Sequence, residues 1–234
     1  MRTLVIPDIH NKVGKAEKIL QSIPHDKAIF LGDYFDSFEE EPDNLSTIKT
    51  AQFINRHIND PNTIFVQGNH DAHYMFNRGF LRGSGYTPEK AKLIQSLVSP
   101  QTFGKMSLYT VDQGFNLSHA GFHPKLFMHP VKGMDYDYIN GILKQAVEGG
   151  INNVPHPALQ PGRARGGINE VPGLTWTDWD NEFVPISGFN QIVGHSSHRE
   201  PQFKNTSDST NLDLDTNLGY VGMIDNGKLD VLKV

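Results

Sequence analysis

The stretch Phe30-Leu31-Gly32-Asp33-Tyr34-Phe35-Asp36 decides the fold: an apolar run of strand length breaks at a glycine and delivers two carboxylates. The construction recurs upstream as Val5-Ile6-Pro7-Asp8-Ile9-His10. Downstream it returns as Phe65-Val66-Gln67-Gly68-Asn69-His70-Asp71, Asn116-Leu117-Ser118-His119-Ala120-Gly121 and Ile192-Val193-Gly194-His195-Ser196-Ser197-His198. Open α/β sheets gather their sites at the carboxyl ends of strands, so clusters up to about 190 residues apart in sequence can meet in space. A glycine before the ligand in three of the five lets the backbone turn sharply and approach an ion closely. The pattern predicts one shared centre.

Outward from these clusters, short apolar runs alternate with helix-like stretches. Strands are expected over 3–6, 28–31 and 63–67, and helices over 14–22, 45–59 and 88–98. This alternation is the signature of an α/β sheet protein. The second half reads as a hairpin of 106–111 with 115–118, a helix over 135–148, and strands near 191–193, 219–224 and 229–232. Asp225-Asn226-Gly227-Lys228 supplies an Asn-Gly tight turn between the last two strands. The stretch 149–173, rich in Gly, Pro and Asn and carrying Arg163 and Arg165, reads as a long loop, and loops of that length are often functional. The acidic patch Glu39 to Glu41 is read as a solvated loop.

Composition narrows the chemistry. At about 150 residues per domain, 234 residues permit one large domain or two small ones. No repeat or low-complexity break divides them, so a single domain over 1–234 is expected. With 37% hydrophobic and 20% charged residues the chain can bury a core. No apolar run approaches the roughly 18 residues of a spanning helix, and the first residues lack the apolar core of a secretion signal. A cytoplasmic protein with no membrane partner is the expectation. With no cysteine, thiolate metal sites and thiol nucleophiles are excluded, and any metal must be held by nitrogen and oxygen. A net charge of −5 argues against a broad nucleic-acid-binding face but not against one phosphate-sized pocket.

Several carboxylates, several imidazoles and an asparagine carbonyl are too many ligands for one tetrahedral ion, and a carboxylate shared between two ions would use the excess. Two metals about 3.5–4 Å apart suit in-line attack on phosphorus, so phosphate-ester hydrolysis is the leading reaction.

The motif order DxH, GDxxD, GNHD, SHAG and GHxxH resembles the calcineurin-like metallophosphoesterase superfamily. The GHSS closely followed by Arg199-Glu200-Pro201 is most similar to its phosphoprotein-phosphatase branch and the related symmetrical diadenosine tetraphosphatases. Trp176-Thr177-Asp178-Trp179 and Leu214-Asp215-Thr216-Asn217-Leu218-Gly219-Tyr220 look like that branch's late strands. The resemblance implies a four-layer α/β-β/α sandwich with two central mixed β-sheets flanked by helices. It implies that Asp8 and His10 bind a first divalent ion, that Asp33 bridges, and that Asn69, His119 and His195 bind a second. It further implies a metal-bridging hydroxide as nucleophile, with His70 as general acid held by Asp36. Such a role suits an imidazole, which titrates near neutral pH and whose tautomer a carboxylate fixes. Mn²⁺ is the expected ion, with Fe and Zn also suited to such ligands. The substrate would be phosphorylated: a phosphoprotein, a small phosphate ester, or a nucleotide such as diadenosine tetraphosphate. A metal-binding interaction protein without catalysis is the reading from another class.

The chain also departs from the family's pattern. Asp36 is followed by Ser37 where the resemblance implies Arg-Gly, and no arginine lies between Trp176 and His195, which makes Arg163 and Arg165 the candidate phosphate contacts. His198 stands one residue further from His195 than in a GHxH motif and is a possible metal or pocket residue. Asp71 stands where the protein phosphatases carry glutamate. His25, His57, His73, His123, His129 and His156 carry no motif and are read as surface or packing residues, with His73 and His123 near enough to line the pocket. Trp176 and Trp179 are read as core aromatics.

Overall fold

The computed structural model describes residues 1–37 and 44–234; the acidic patch at 39–41 lies outside them. Strands β1 (Arg2–Ile6), β2 (Lys27–Phe30) and β3 (Thr63–Phe65) run parallel, each reached through a helix: α1 (Val13–Ser22) before β2 and α2 (Leu45–His57) before β3. After β3 come α3 (Asn69–Phe76), α4 (Pro88–Leu97) and α5 (Pro100–Phe103), then the antiparallel pair β4 (Tyr109–Asp112) and β5 (Phe115–Ser118). The chain continues through α6 (Pro124–Phe127), the two-residue strands β6 (Met128–His129) and β7 (Gly133–Met134), and α7 (Tyr136–Asn152). The last strands are β8 (Asn190–Val193), β9 (Gln202–Phe203), β10 (Asn211–Asp213), β11 (Tyr220–Asp225) and β12 (Lys228–Lys233).

Two five-stranded mixed sheets result, ordered β12-β11-β1-β2-β3 and β4-β5-β8-β10-β9. Strand alternation sorts the side chains between layers. Val5, Ile29, Phe115, Leu117, Ile192, Leu212 and Ile224 form a core shared by both sheets. On the other face of the first sheet, Leu4, Ile6, Ala28 and Phe30 pack under Ala16, Ile19, Phe53, Ile54 and Ile94 of α1, α2 and α4. Phe127, Ile139, Leu143 and Ala146 of α6 and α7 pack with Phe122 and Phe189 in a further core. The expected architecture, two central mixed sheets flanked by helices, is therefore present.

Element boundaries differ where chemistry overrides periodicity. The cluster Asn69-His70-Asp71 is the first turn of α3, with Asp71 accepting from Gly68 N. The hairpin strand begins at Tyr109, not 106. Helix α7 runs four residues beyond Glu148, into the stretch read as loop. That stretch also holds 3-10 turns at Pro157–Leu159 and Arg163–Arg165. Residues 176–179 and 214–219 lie outside any strand; the strand of that region is β10, just before Leu214. The Asn226-Gly227 turn is as expected, with φ of 50° and 76°. No helix among the described residues is long and apolar enough to cross a membrane.

Candidate metal centre

The segments that follow β1, β2, β3, β5 and β8 meet at one end of the two sheets, tied by backbone hydrogen bonds. Ile9 N and His10 N donate to Asp33 O at 3.2 and 2.8 Å, Asn11 N donates to Tyr34 O at 2.8 Å, and Gly194 N donates to His119 O at 2.8 Å. Asp71 clips the β2 and β3 ends together, its carboxylate accepting from Asp33 N, Tyr34 N and Gly68 N at 2.8, 3.0 and 2.9 Å. Burial and the neighbouring Asp33 charge push the Asp71 carboxyl up to about 7.

Four site residues hold left-handed backbone: His10, Asp33, Asp36 and His195, with φ of 43°, 49°, 65° and 73°. Non-glycine residues enter that region at a cost of about 1–3 kcal/mol each and cluster at functional sites. Two glycines allow the carboxylates to approach. A Cβ on Gly68 would lie 2.1 Å from Asp33 Oδ1, and one on Gly194 would lie 2.1 Å from Asp8 Oδ1.

One ligand atom each from Asp8, His10 and Asp33 lie within 4.8 Å of one another, and so do those of Asp33, His119 and His195, so Asp33 belongs to both groups. The ring tautomers fit metal binding. His10 Nδ1 donates to Asp36 O at 2.9 Å, and Nε2 lies 3.9 Å from both Asp8 Oδ2 and Asp33 Oδ2. His119 Nδ1 donates to Leu31 O at 2.9 Å, and its bare Nε2 faces Asn69 Oδ1 at 2.9 Å, His195 Nδ1 at 3.1 Å and Asp33 Oδ2 at 3.3 Å. A carbonyl on one ring nitrogen is how proteins orient an imidazole toward a metal. Nitrogen and oxygen acceptors gathered in one buried place suit a bound cation. The charges agree: burial, then Asp215 and Asp33, push the Asp8 carboxyl well above its usual range, and burial, then His119 and Arg165, hold the His195 imidazole well below its own. The residues present fit two divalent ions.

The remaining site residues sit around this pair of groups. His70 Nε2 lies 4.0 Å from Asp33 Oδ2, while its Nδ1 donates to Asp36 Oδ2 at 2.9 Å. Arg165 donates to Ser196 Oγ at 2.8 Å and pairs with Asp178 Oδ2 at 2.9 Å, beside His195. Arg163 is exposed, with Glu170 feeling its charge. His198 joins neither ligand group; its Nε2 lies 3.6 Å from Asp213 Oδ2. His123 caps α6, accepting from Lys125 N at 3.3 Å. Trp179 is a core residue, as expected, but Trp176 is half-buried with its ring centroid 5.9 Å from that of His195.

Sequence reasoning read His73 as no more than a packing or pocket-lining residue and overlooked Tyr74 and Lys90: His73 and Tyr74 of α3 and Lys90 of α4 all bond to the Asp36 carboxylate. The signal was present for two of them, since His73 and Tyr74 stand three and four residues after His70 and share its helix face. Asp71 as a clip and Asp178 as the partner of Arg165 carried no spacing signal.

Fold and site together define a metal-binding hydrolase of phosphate esters. Residues 1–149 match the family model described as calcineurin-like phosphoesterase, and the chain belongs to that family. Among solved structures it is similar to a cold-active protein-tyrosine phosphatase of a psychrophilic Shewanella species, at 13% identity and a TM-score of 0.57, covering 99% of this chain and 80% of that one. It is also similar to a serine/threonine phosphatase of Saccharomyces cerevisiae that resembles human PP5, at 14% identity and a TM-score of 0.52, covering 100% of this chain and 80% of that one. At such identities the likeness is one of fold. No curated protein sequence matches the chain significantly.

Proposed function

We propose that this phosphoesterase hydrolyses phosphate monoesters of the phosphoprotein Ser/Thr type, and that residues 1–234 work as one unit. Asp8, His10 and Asp33 would hold one divalent ion and Asp33, Asn69, His119 and His195 a second, with Mn²⁺ the ion for reconstitution. Such a pair supplies charge neutralisation for the phosphoryl oxygens and activation of water. The observation that carries the reading is the position of His70: its Nε2 lies 4.0 Å from the one carboxylate common to both ligand groups, while Nδ1 is held by Asp36. That atom is placed to give a proton to the departing ester oxygen. Burial opposes the charged imidazole of His70, but Asp33 and then Asp36 raise it above its usual value, which keeps the proton available near neutral pH.

A monoester carries more negative charge than a diester. Arg165 favours it, because Asp178 and Ser196 orient its guanidinium beside His195, where it can take a terminal phosphate oxygen. The test compares phosphate release from a phosphoserine peptide with nucleoside diphosphate release from diadenosine tetraphosphate, using protein reloaded with Mn²⁺. The peptide is expected to turn over faster. His70→Asn should lower kcat on it by about a hundredfold with metal content unchanged. Faster cleavage of diadenosine tetraphosphate overturns the substrate class, and a fully metallated protein inert to all phosphate esters overturns catalysis in favour of an interaction protein.

A further inference from the structure

We propose that His73, Tyr74 and Lys90 are positioning residues that lock the Asp36 carboxylate and through it aim His70 Nε2 at the reacting ester, so that Asp36 is the hub of a proton-donor assembly and not a ligand of a third metal. The inference rests on the reading of His70 as general acid and extends it to residues with no contact to the substrate.

The carboxylate is saturated. Asp36 Oδ2 accepts from His70 Nδ1 and His73 Nε2, each at 2.9 Å, and Oδ1 accepts from Tyr74 Oη at 2.5 Å and Lys90 Nζ at 2.7 Å. Four donors fill the roughly four lone-pair positions a carboxylate offers. The protons can be assigned: Gly83 N donates to His73 Nδ1 at 3.4 Å, so the His73 proton sits on Nε2 and points at Asp36. The His73 and Tyr74 side chains are fully buried, and Lys90 is held a second time by Gly85 O at 2.9 Å. Gly85 itself closes over Asp36, where a Cβ would come within 2.9 Å of Cγ.

Asp36, His70 and His73 also have ligand atoms within 4.8 Å of one another, the spacing of a metal site. Their protons argue otherwise. A metal needs the bare lone pair of an imidazole, and that of His73 faces Gly83 N. The cation such a carboxylate requires is already there in the Lys90 ammonium, brought by α4 in a chain where Ser37, not arginine, follows Asp36.

A fixed Asp36 holds Nδ1 of His70, and a held Nδ1 leaves only Nε2 to face the reacting group. Loosening the hub should therefore harm the steps that need a proton and spare those that do not. The experiment measures steady-state rates of Lys90→Met and Tyr74→Phe on an alkyl phosphate, whose leaving group must be protonated, and on p-nitrophenyl phosphate, whose leaving group need not be. Tyr74→Phe removes one hydroxyl and keeps the ring, so it reports even if Lys90→Met destabilises the fold. Each variant should lose about tenfold in kcat on the alkyl ester and less than about threefold on the nitrophenyl ester, with KM and metal content unmoved. Lys90→Arg should restore the alkyl rate.

An equal loss on both esters, or no loss on either, overturns the proposal; so does a third equivalent of Mn²⁺ that binds the wild type and is lost in His73→Phe. His70→Asn separates the two levels. If His70→Asn shows leaving-group selectivity and the Lys90 and Tyr74 variants do not, only the positioning role fails. If His70→Asn itself shows none, the general-acid reading fails.

Discussion

Gly194→Ala tests most directly whether the close approach of backbone and carboxylate builds the site. The added Cβ would lie 2.1 Å from Asp8 Oδ1, where non-bonded contacts require at least 3.0 Å, so one of the two must retreat by about 1 Å. Neither moves freely. Gly194 is held by its N–H to His119 O, and Asp8 accepts from His195 N through both oxygens, at 3.2 and 3.1 Å. Overpacking of this kind costs about 1–3 kcal/mol, which in a chain of this size lowers Tm by roughly 2–12 °C. Asp8 is displaced from His10 and Asp33, so metal content measured by elemental analysis should fall from two ions toward one, and kcat with it. Gly141→Ala is the control. Gly141 is exposed inside α7 with nothing within 4 Å of an added Cβ, so the same substitution should stabilise by about 0.5–1 kcal/mol. A Gly194→Ala protein with two ions per chain and full turnover would refute the reasoning.

Two further predictions concern stability. Asp112 on β4 accepts from Thr3 Oγ1 of β1 at 2.7 Å and from Lys27 Nζ of β2 at 2.8 Å, joining the two sheets far from the metal centre. Burial alone would raise its carboxyl, but the bonds from Lys27 and Thr3 hold it below the usual range. A depressed folded-state value contributes stability above the unfolded value of about 3.9 and loses it as pH falls through the folded one. Asp112→Asn should cost about 1–3 kcal/mol at pH 7, with the gap to wild type closing below about pH 4; a gap independent of pH contradicts the assignment. Chelation should lower Tm, because Asp8, Asp33 and Asp215 then repel one another unrelieved, and Mn²⁺ at a hundred times its Kd should return about 3 kcal/mol. A melting temperature indifferent to chelation and reloading would argue against two resident ions.

The fold was legible because its signal is redundant. Strands β1, β2, β3, β5 and β8 each announce themselves twice, by an apolar run and by the polar cluster at the strand's end, as Phe30 to Asp36 shows, whereas the parallel strand β10 carries no such signal. That the five strand-end clusters could converge followed from a sheet bringing the ends of its strands together, whereas the choice of Asp8, His10, Asp33, Asn69, His119 and His195 within them came from the family resemblance. Residues that act on another side chain were harder to see. Lys90 lies 54 residues from Asp36, and no periodicity records which lysine of an amphipathic helix turns inward. Helix α3 was missed because the polar residues Asn69, His70 and Asp71 occupy its first turn and obscured the 3.6-residue repeat. The stretch 149–173 was read as loop from its glycines and prolines, yet α7 carries Gly149 and Gly150 inside its last turn. There Gly150 lies against the Phe76 ring, and a Cβ would come within 2.7 Å of it. Packing room, not turn chemistry, explains that glycine.

The physical character of the site is a concentration of unfavourable terms in one place. Four left-handed residues, two glycines pressed against carboxylates and three buried acids of like charge all lie within the loops after β1, β2, β3, β8 and β10. Asp33 shows how the arrangement is held. Its backbone N–H is bound by Asp71, its carbonyl accepts from Ile9 and His10, and its Oδ1 accepts from His70 N at 2.9 Å. Only Oδ2 remains, and it is the atom that faces His10, His70 and His119. A side chain with every other group committed cannot rotate away, so Oδ2 is fixed among the three imidazoles. The rigid sheets supply that commitment from outside the site, and it is why the Asp and His cluster can stay assembled although strained and acceptor-rich.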